Sequence, residues 1–199
     1  LSSNIGNTVN ITGNLVNDGS MLGSTGGVFN LTNAAGTMSG TSTTTTFYQL
    51  NINGVITSSI TNDVKVLNNF SIPAPATKLF TASSGNLYVG GNWTNAGTFT
   101  HGSGTVILNG TALQTITAGG SSFNRLTAQN SSVGGVLFAD TFTTAHLTNI
   151  TANSLMTFTA GTTCSITAGG GMNLVGAAGQ LVRLRSSSPG TRCTINPSG

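Results

Sequence analysis

The chain has 199 residues, six Lys or Arg, three Asp, no Glu and a net charge of +3. Thr (34), Gly (28), Ser (22) and Asn (22) make up more than half of it, and 5% is charged against an ordinary ~25%. This excludes a helical bundle, which needs Glu, Lys and Arg in quantity, and a charge-rich disordered chain; no run reaches the ~18 apolar residues of a membrane helix.

The chain opens at Leu1, without Met and without a basic segment leading into an apolar one, as expected of a processed secreted chain or a portion of a longer one. Residues 1–10 already read as strand and turn. Short pulses of Val, Ile, Leu, Phe and Thr then recur about every 8–10 residues, bounded by Gly, Asn or Ser, which is the signal of short β-strands. Thr105–Leu108, Gln114–Thr117, Arg125–Ala128 and Gly135–Phe138 are examples. No segment keeps a 3.6-residue apolar period over three turns, so little or no helix is expected.

A longer repetition overlies the pulses. Gly13, Asn14, Asn17 and Gly19 match Gly91, Asn92, Asn95 and Gly97, all at one shared offset. Phe47 and Leu50 match Phe123 and Leu126, and Asp63 matches Asp140, at similar offsets. The reading is one solenoid over residues 1–199, built of ~77-residue repeats at about 9–86 and 87–163, with a partial unit at 164–199. Three pulses per turn would give about eight coils. An immunoglobulin-like sandwich is the all-β competitor, but the Cys-Trp-Cys spacing is missing and a sandwich does not need Asn and Gly at nearly every corner. A parallel β-helix does, because Asn can ladder between coils and Gly adopts left-handed corners without strain.

The stretches Gly90-Gly-Asn-Trp-Thr-Asn-Ala-Gly-Thr-Phe99, Gly104-Thr-Val-Ile-Leu-Asn-Gly110 and Phe123-Asn-Arg-Leu126 resemble the repeats of large secreted, adhesin-like microbial surface proteins. Leu181 to Pro197 is similar to a segment that follows such repeats. The resemblance implies an all-β fold, a right-handed parallel β-helix, and a location at the cell surface.

Candidate chemistry is sparse. Asp18, Asp63 and Asp140 are the only carboxylates, and none has a second acid nearby, so glycan-cleaving acid/base or calcium chemistry lacks its residues. Asp63 and Asp140, as repeat equivalents, are expected at the same corner of different coils. His101 and His146 have no metal-ligating companions in register and read as loop histidines. There is no Gly-x-Ser-x-Gly elbow, and Gly169–Gly171 is not followed by the Lys-Ser/Thr of a phosphate loop. No enzyme activity, cofactor or metal is expected.

Cys164 and Cys193 suit one disulfide in an oxidising compartment, or two small buried thiols. Asn-x-Ser/Thr sequons begin at Asn10, Asn30, Asn69, Asn92, Asn109, Asn130 and Asn149; this composition yields about six by chance, so the number is not a signal of glycosylation. Lys65, Lys78 and Arg125 are scattered, unlike the clustered cations of a nucleic-acid binder. Arg183 and Arg185 alternate with Val182 and Leu184 and would share one strand face, either solvated or in contact with an anion or a subunit. Trp93 stands where the repeat has Leu15 and reads as core rather than a sugar platform. Thr pairs such as Thr98/Thr100, Thr115/Thr117 and Thr157/Thr159 are too irregular to favour ice binding.

A solenoid exposes unpaired backbone and apolar edges at its end coils, and soluble ones cap them. No capping helix or charged terminal repeat is legible here. The functional expectation is an extracellular structural protein, a subunit of a self-assembling surface filament or an adhesin-like stalk. Its partners would be copies of itself, head to tail, or neighbouring solenoid repeats. The alternative is a carbohydrate- or surface-binding module on the same scaffold.

Overall fold

A computed structural model of the chain describes residues 2–3, 6–23 and 26–197. It forms an all-β parallel solenoid of about eight coils, with no helix among the described residues. Three long sheets run along the axis. The first face has nine strands, starting with Thr8–Ile11 and ending with Arg183–Ser186. The second has eight, from Thr44–Phe47 to Thr194–Pro197. The third has five, from Leu15–Val16 to Thr98–Thr100. Every pairing between these strands is parallel, and each strand is paired with its counterpart one coil away.

In-register stacking forces like side chains into columns. The first-face interior column runs Val9, Phe29, Leu50, Phe70, Trp93, Ile116, Phe138 and Phe158. Successive members are separated by similar but unequal lengths of chain, the step from Phe70 to Trp93 being longer than that from Phe29 to Leu50. Trp93 is fully buried among aromatic rings from all three faces. Its ring stacks on Phe70 at 4.5 Å, meets Phe99 of the third face edge-on at 4.9 Å, and meets Phe123 of the second at 5.5 Å. All three faces thus converge on one indole, and each such ring pair adds about 0.5–1.5 kcal/mol beyond area burial.

Corners are made by asparagine. The Oδ1 atoms of Asn33, Asn95, Asn130 and Asn149 each accept the backbone N–H two residues on, closing a tight turn. Other asparagines tie coil to coil: Asn51 Nδ2 donates to Asn30 Oδ1, and Asn30 Nδ2 to Asn10 Oδ1, forming a three-rung ladder on the first face.

Above Thr100 the third face has no further strand, and the second-face strands lengthen to Ser122–Ala128, Phe142–Asn149 and Thr163–Leu174. Their leading ends carry Phe123, Phe142 and Cys164 inward, continuing the core above Phe99. Thr163–Leu174 is bulged: Thr144 pairs with Ile166 but His146 pairs with Gly171. The glycine run at 169–171 serves this bulge, since a Cβ on Gly170 would collide with the carbonyl oxygen of Ala145.

The long sequence repeat is not a whole number of coils. It relates Leu15, on the third face, to Trp93, on the first. It also relates Asp63, inside a second-face strand, to Asp140, in a corner, so these two aspartates do not occupy the same corner position. The physical reason is that every face uses the same short strand closed by an Asn or Gly corner. One strand-and-corner unit therefore resembles another wherever it lies on the coil.

Trp93→Ala should cost about 3–5 kcal/mol of unfolding free energy, read from urea denaturation. Val133→Ala, at a side chain 90% exposed, should stay within about 0.5 kcal/mol.

Candidate functional site

The three carboxylates lie in separate coils and hold the backbone or side chains of a neighbouring coil. Asp18 Oδ1 accepts from the N–H and hydroxyl of Thr41. Asp63 Oδ1 accepts from Asn86 Nδ2. Asp140 accepts from the N–H groups of Ala118 and Gly119, each at 2.7 Å. These are braces between coils rather than a paired acid and base. His101 Nδ1 accepts the Ser103 N–H in a turn, and His146 sits beside Arg125 in the second-face register. Among the described residues no three His, Cys, Asp or Glu side chains form a metal-ligating group, and no helix is long and apolar enough to cross a membrane.

Cys164 and Cys193 are both thiols, Cys164 buried and Cys193 half-buried in the last coil. Thr163 pairs with Thr194 and Cys164 with Ile195, which puts Cys193 two positions out of step with Cys164. On regular strand spacing that diagonal is about 8 Å between Cα atoms, longer than the ~7 Å a disulfide spans without backbone movement. Burial, and secondly the neighbouring Cys193, pushes the Cys164 thiol from 9.0 up to about 12.

The sequon asparagines differ sharply in surroundings. Asn10, Asn92 and Asn109 are exposed, and Asn30 and Asn69 half-buried. Asn130 and Asn149 are buried corner residues. Asn130 Nδ2 donates to Ala112 O and Gln114 Oε1, and Asn149 Oδ1 accepts from Thr151 N and Ser154 Oγ. In the folded chain these two are internal braces with about 1% of their surface exposed. Asn109 alone of the seven has a side chain engaged in no hydrogen bond among the described residues.

Threonines do align where the sequence spacing looks irregular. Thr37, Thr57, Thr81 and Thr100 form one outward column on the third face. It is a single rank, flanked by Val55 and Leu79 rather than by a second threonine column.

The most distinctive surface is at the two ends of the solenoid. Thr8–Ile11 and Arg183–Ser186 each have a ladder partner on one side only among the described residues. The interior column of Val136 and Met156 continues to Leu184, which is 41% exposed although its predecessors are buried. Val182, Cys193 and Ile195 are likewise only partly covered, as are Val9, Ile11 and Leu15 at the opposite end. Arg185 and Arg192 line an open cleft of about 600 Å³ in the last coil, together with Ser186, Ser188 and Thr191. Arg183 Nη2 donates to Asn153 O. At the other end Asp18 is exposed, and no Lys or Arg precedes Lys65. In the sequence, the alternation of Arg183 and Arg185 with Val182 and Leu184 indicated one shared strand face; nothing in composition marked Leu184 as an uncovered interior position.

No family model, curated protein or solved structure matches the chain.

Because Cys164 keeps its proton in the folded chain and loses it in the unfolded one between about pH 9 and about pH 12, stability should fall as pH rises through that window. The urea midpoint should therefore drop more steeply above pH 9 in the native sequence than in Cys164→Ala. A maleimide should label Cys193 in the folded protein and reach Cys164 only on unfolding.

Proposed function

We propose that this chain is a non-catalytic structural protein of the cell exterior, a β-solenoid unit of a surface filament or adhesin-like stalk whose coils continue into a second copy or into neighbouring solenoid repeats. The observation that carries the reading is Leu184. It is an interior side chain by register and an exposed one by environment, on an edge strand whose ladder is open on one side among the described residues.

A parallel coil laid on that edge would extend the first-face sheet, cover Leu184, Val182 and Ile195, and repeat the geometry of every internal coil. The counterpart strand in a second copy is Thr8–Ile11, backed by Val9, Ile11 and Leu15. Charge favours this polarity, since Arg183, Arg185 and Arg192 crowd one end while the other holds Asp18 and no cation. A contact between two different surfaces propagates as a fibre when its rotation does not close into a ring, and stacking along the solenoid axis is of that open kind. The low charge keeps repulsion between stacked copies small. The exterior location is supported by the scarcity of charge and the abundance of Thr, Ser, Asn and Gly. The work of such a molecule is mechanical: backbone ladders along the axis resist extension, and a dry interior resists proteases.

Electron microscopy of the purified chain without denaturant should show filaments with an axial repeat of about eight coils at ~4.8 Å each. Leu184→Lys, which buries a charge in the junction, should shorten them to single units with an unchanged circular dichroism spectrum. Monodisperse rods one chain long from the native sequence would overturn the assembly reading.

A further inference from the structure

A cleft of about 190 Å³ lies midway along the solenoid, on the edge between the second and first faces and away from both ends. Its position follows from register. Lys65 and Tyr88 are outward neighbours on adjacent second-face strands, and the Lys65 ammonium lies 5.7 Å from the centre of the Tyr88 ring. Where the strands turn the corner, position 90 is glycine. A Cβ there would collide with the carbonyl oxygen of Leu67, so the coils close up and leave a notch where other corners carry a side chain. Leu67, 51% exposed, stands on one side of the notch, and Asn109 and Thr111 on the other.

The polar wall is held rigid from beneath. Gln114, 1% exposed, accepts the Gly110 N–H at Oε1 and donates from Nε2 to the carbonyls of Val89 and Gly91, each at 2.7 Å. One buried amide thus fixes the loop that carries Asn109 and Thr111 against the corner below it, at Val89 and Gly91. The groups facing the cleft are not used up by the fold. Among the described residues Lys65 has no ion pair or hydrogen bond, only the Tyr88 ring, and the Asn109 side chain has no partner.

We propose that this cleft binds an acidic sugar residue of a polysaccharide. Leu67 and the part of the Tyr88 ring that the Lys65 ammonium leaves uncovered offer an apolar platform for the C–H face of a pyranose. Asn109 and Thr111 offer an amide and a hydroxyl to ring hydroxyls, and the unpaired ammonium of Lys65 is placed for a carboxylate at the platform's edge. A neutral sugar would use the platform and leave the cation without its partner. The site is independent of end-to-end stacking, since none of its residues lies in the first or last coil.

The test is titration calorimetry at low salt, with protein from a bacterial host that leaves Asn109 unmodified. The probes are a galacturonate tetrasaccharide, a neutral cellotetraose and inorganic sulfate. The acidic tetrasaccharide should bind at least about tenfold more tightly than the neutral one. Lys65→Gln should remove most of that preference, and Tyr88→Val should weaken both sugars, with melting temperatures close to the parent. No measurable binding of the acidic sugar, equal binding of the two sugars, or affinity unchanged in both variants would overturn the proposal. So would sulfate competing as well as the tetrasaccharide, which would reduce the cleft to an unspecific anion contact.

Discussion

The parallel backbone ladder is the constraint from which the rest follows. Each coil must lie over the one before it at about 4.8 Å, residue on residue, because the hydrogen bonds that satisfy one strand are made by the next coil. A side chain therefore has no freedom in choosing its neighbours above and below. Phe70 meets Trp93, Asn30 meets Asn10 and Asn51, and Thr57 meets Thr37 and Thr81, because register leaves nothing else. The composition is what this permits. Like charges in one column would repel at every rung, so charge is nearly absent. Apolar rings stack well on their own kind, so phenylalanines fill the axis.

How much of this was legible in the sequence depends on which force wrote the signal. The strand pulses, the missing helix and the parallel solenoid were readable, because β-branched runs between Asn and Gly corners have few other solutions. The buried role of Trp93 was readable from the apolar residue it replaces. The coil length was not. Strand-and-corner units repeat within a coil as well as between coils, so matching Leu15 to Trp93 joined two faces. The same ambiguity paired Asp63 with Asp140, although one holds Asn86 on a strand and the other clamps two backbone N–H groups at a corner. Sequons gave no depth information either: Asn109 and Asn130 have equally good motifs, and only the fold decides that one faces water and the other is sealed against Gln114. The cleft beside Tyr88 was illegible for a further reason, since it depends on the absence of a side chain at Gly90 and on the register that sets Lys65 beside Tyr88.

Functionally, the molecule separates two kinds of surface. On its flanks most corner asparagines and several threonines and serines bond within or between coils, the cleft beside Tyr88 excepted. At the two ends of the described residues, strand edges are open beside half-covered interior side chains. The proposed assembly uses the ends and the proposed sugar cleft uses a flank, so one scaffold can polymerise and still present a ligand at a fixed interval along the fibre.

The uneven coil lengths carry a consequence of their own. The coil from Val9 to Phe29 takes fewer residues than the coil from Phe158 to Ser186, yet each is spanned by the same ladder. Extra residues are accommodated in corners and bulges, so they add girth and leave the rise untouched. The molecule is in effect a ruler that counts turns and ignores residues. Loops can grow, shrink or diversify around it while every coil above keeps its height.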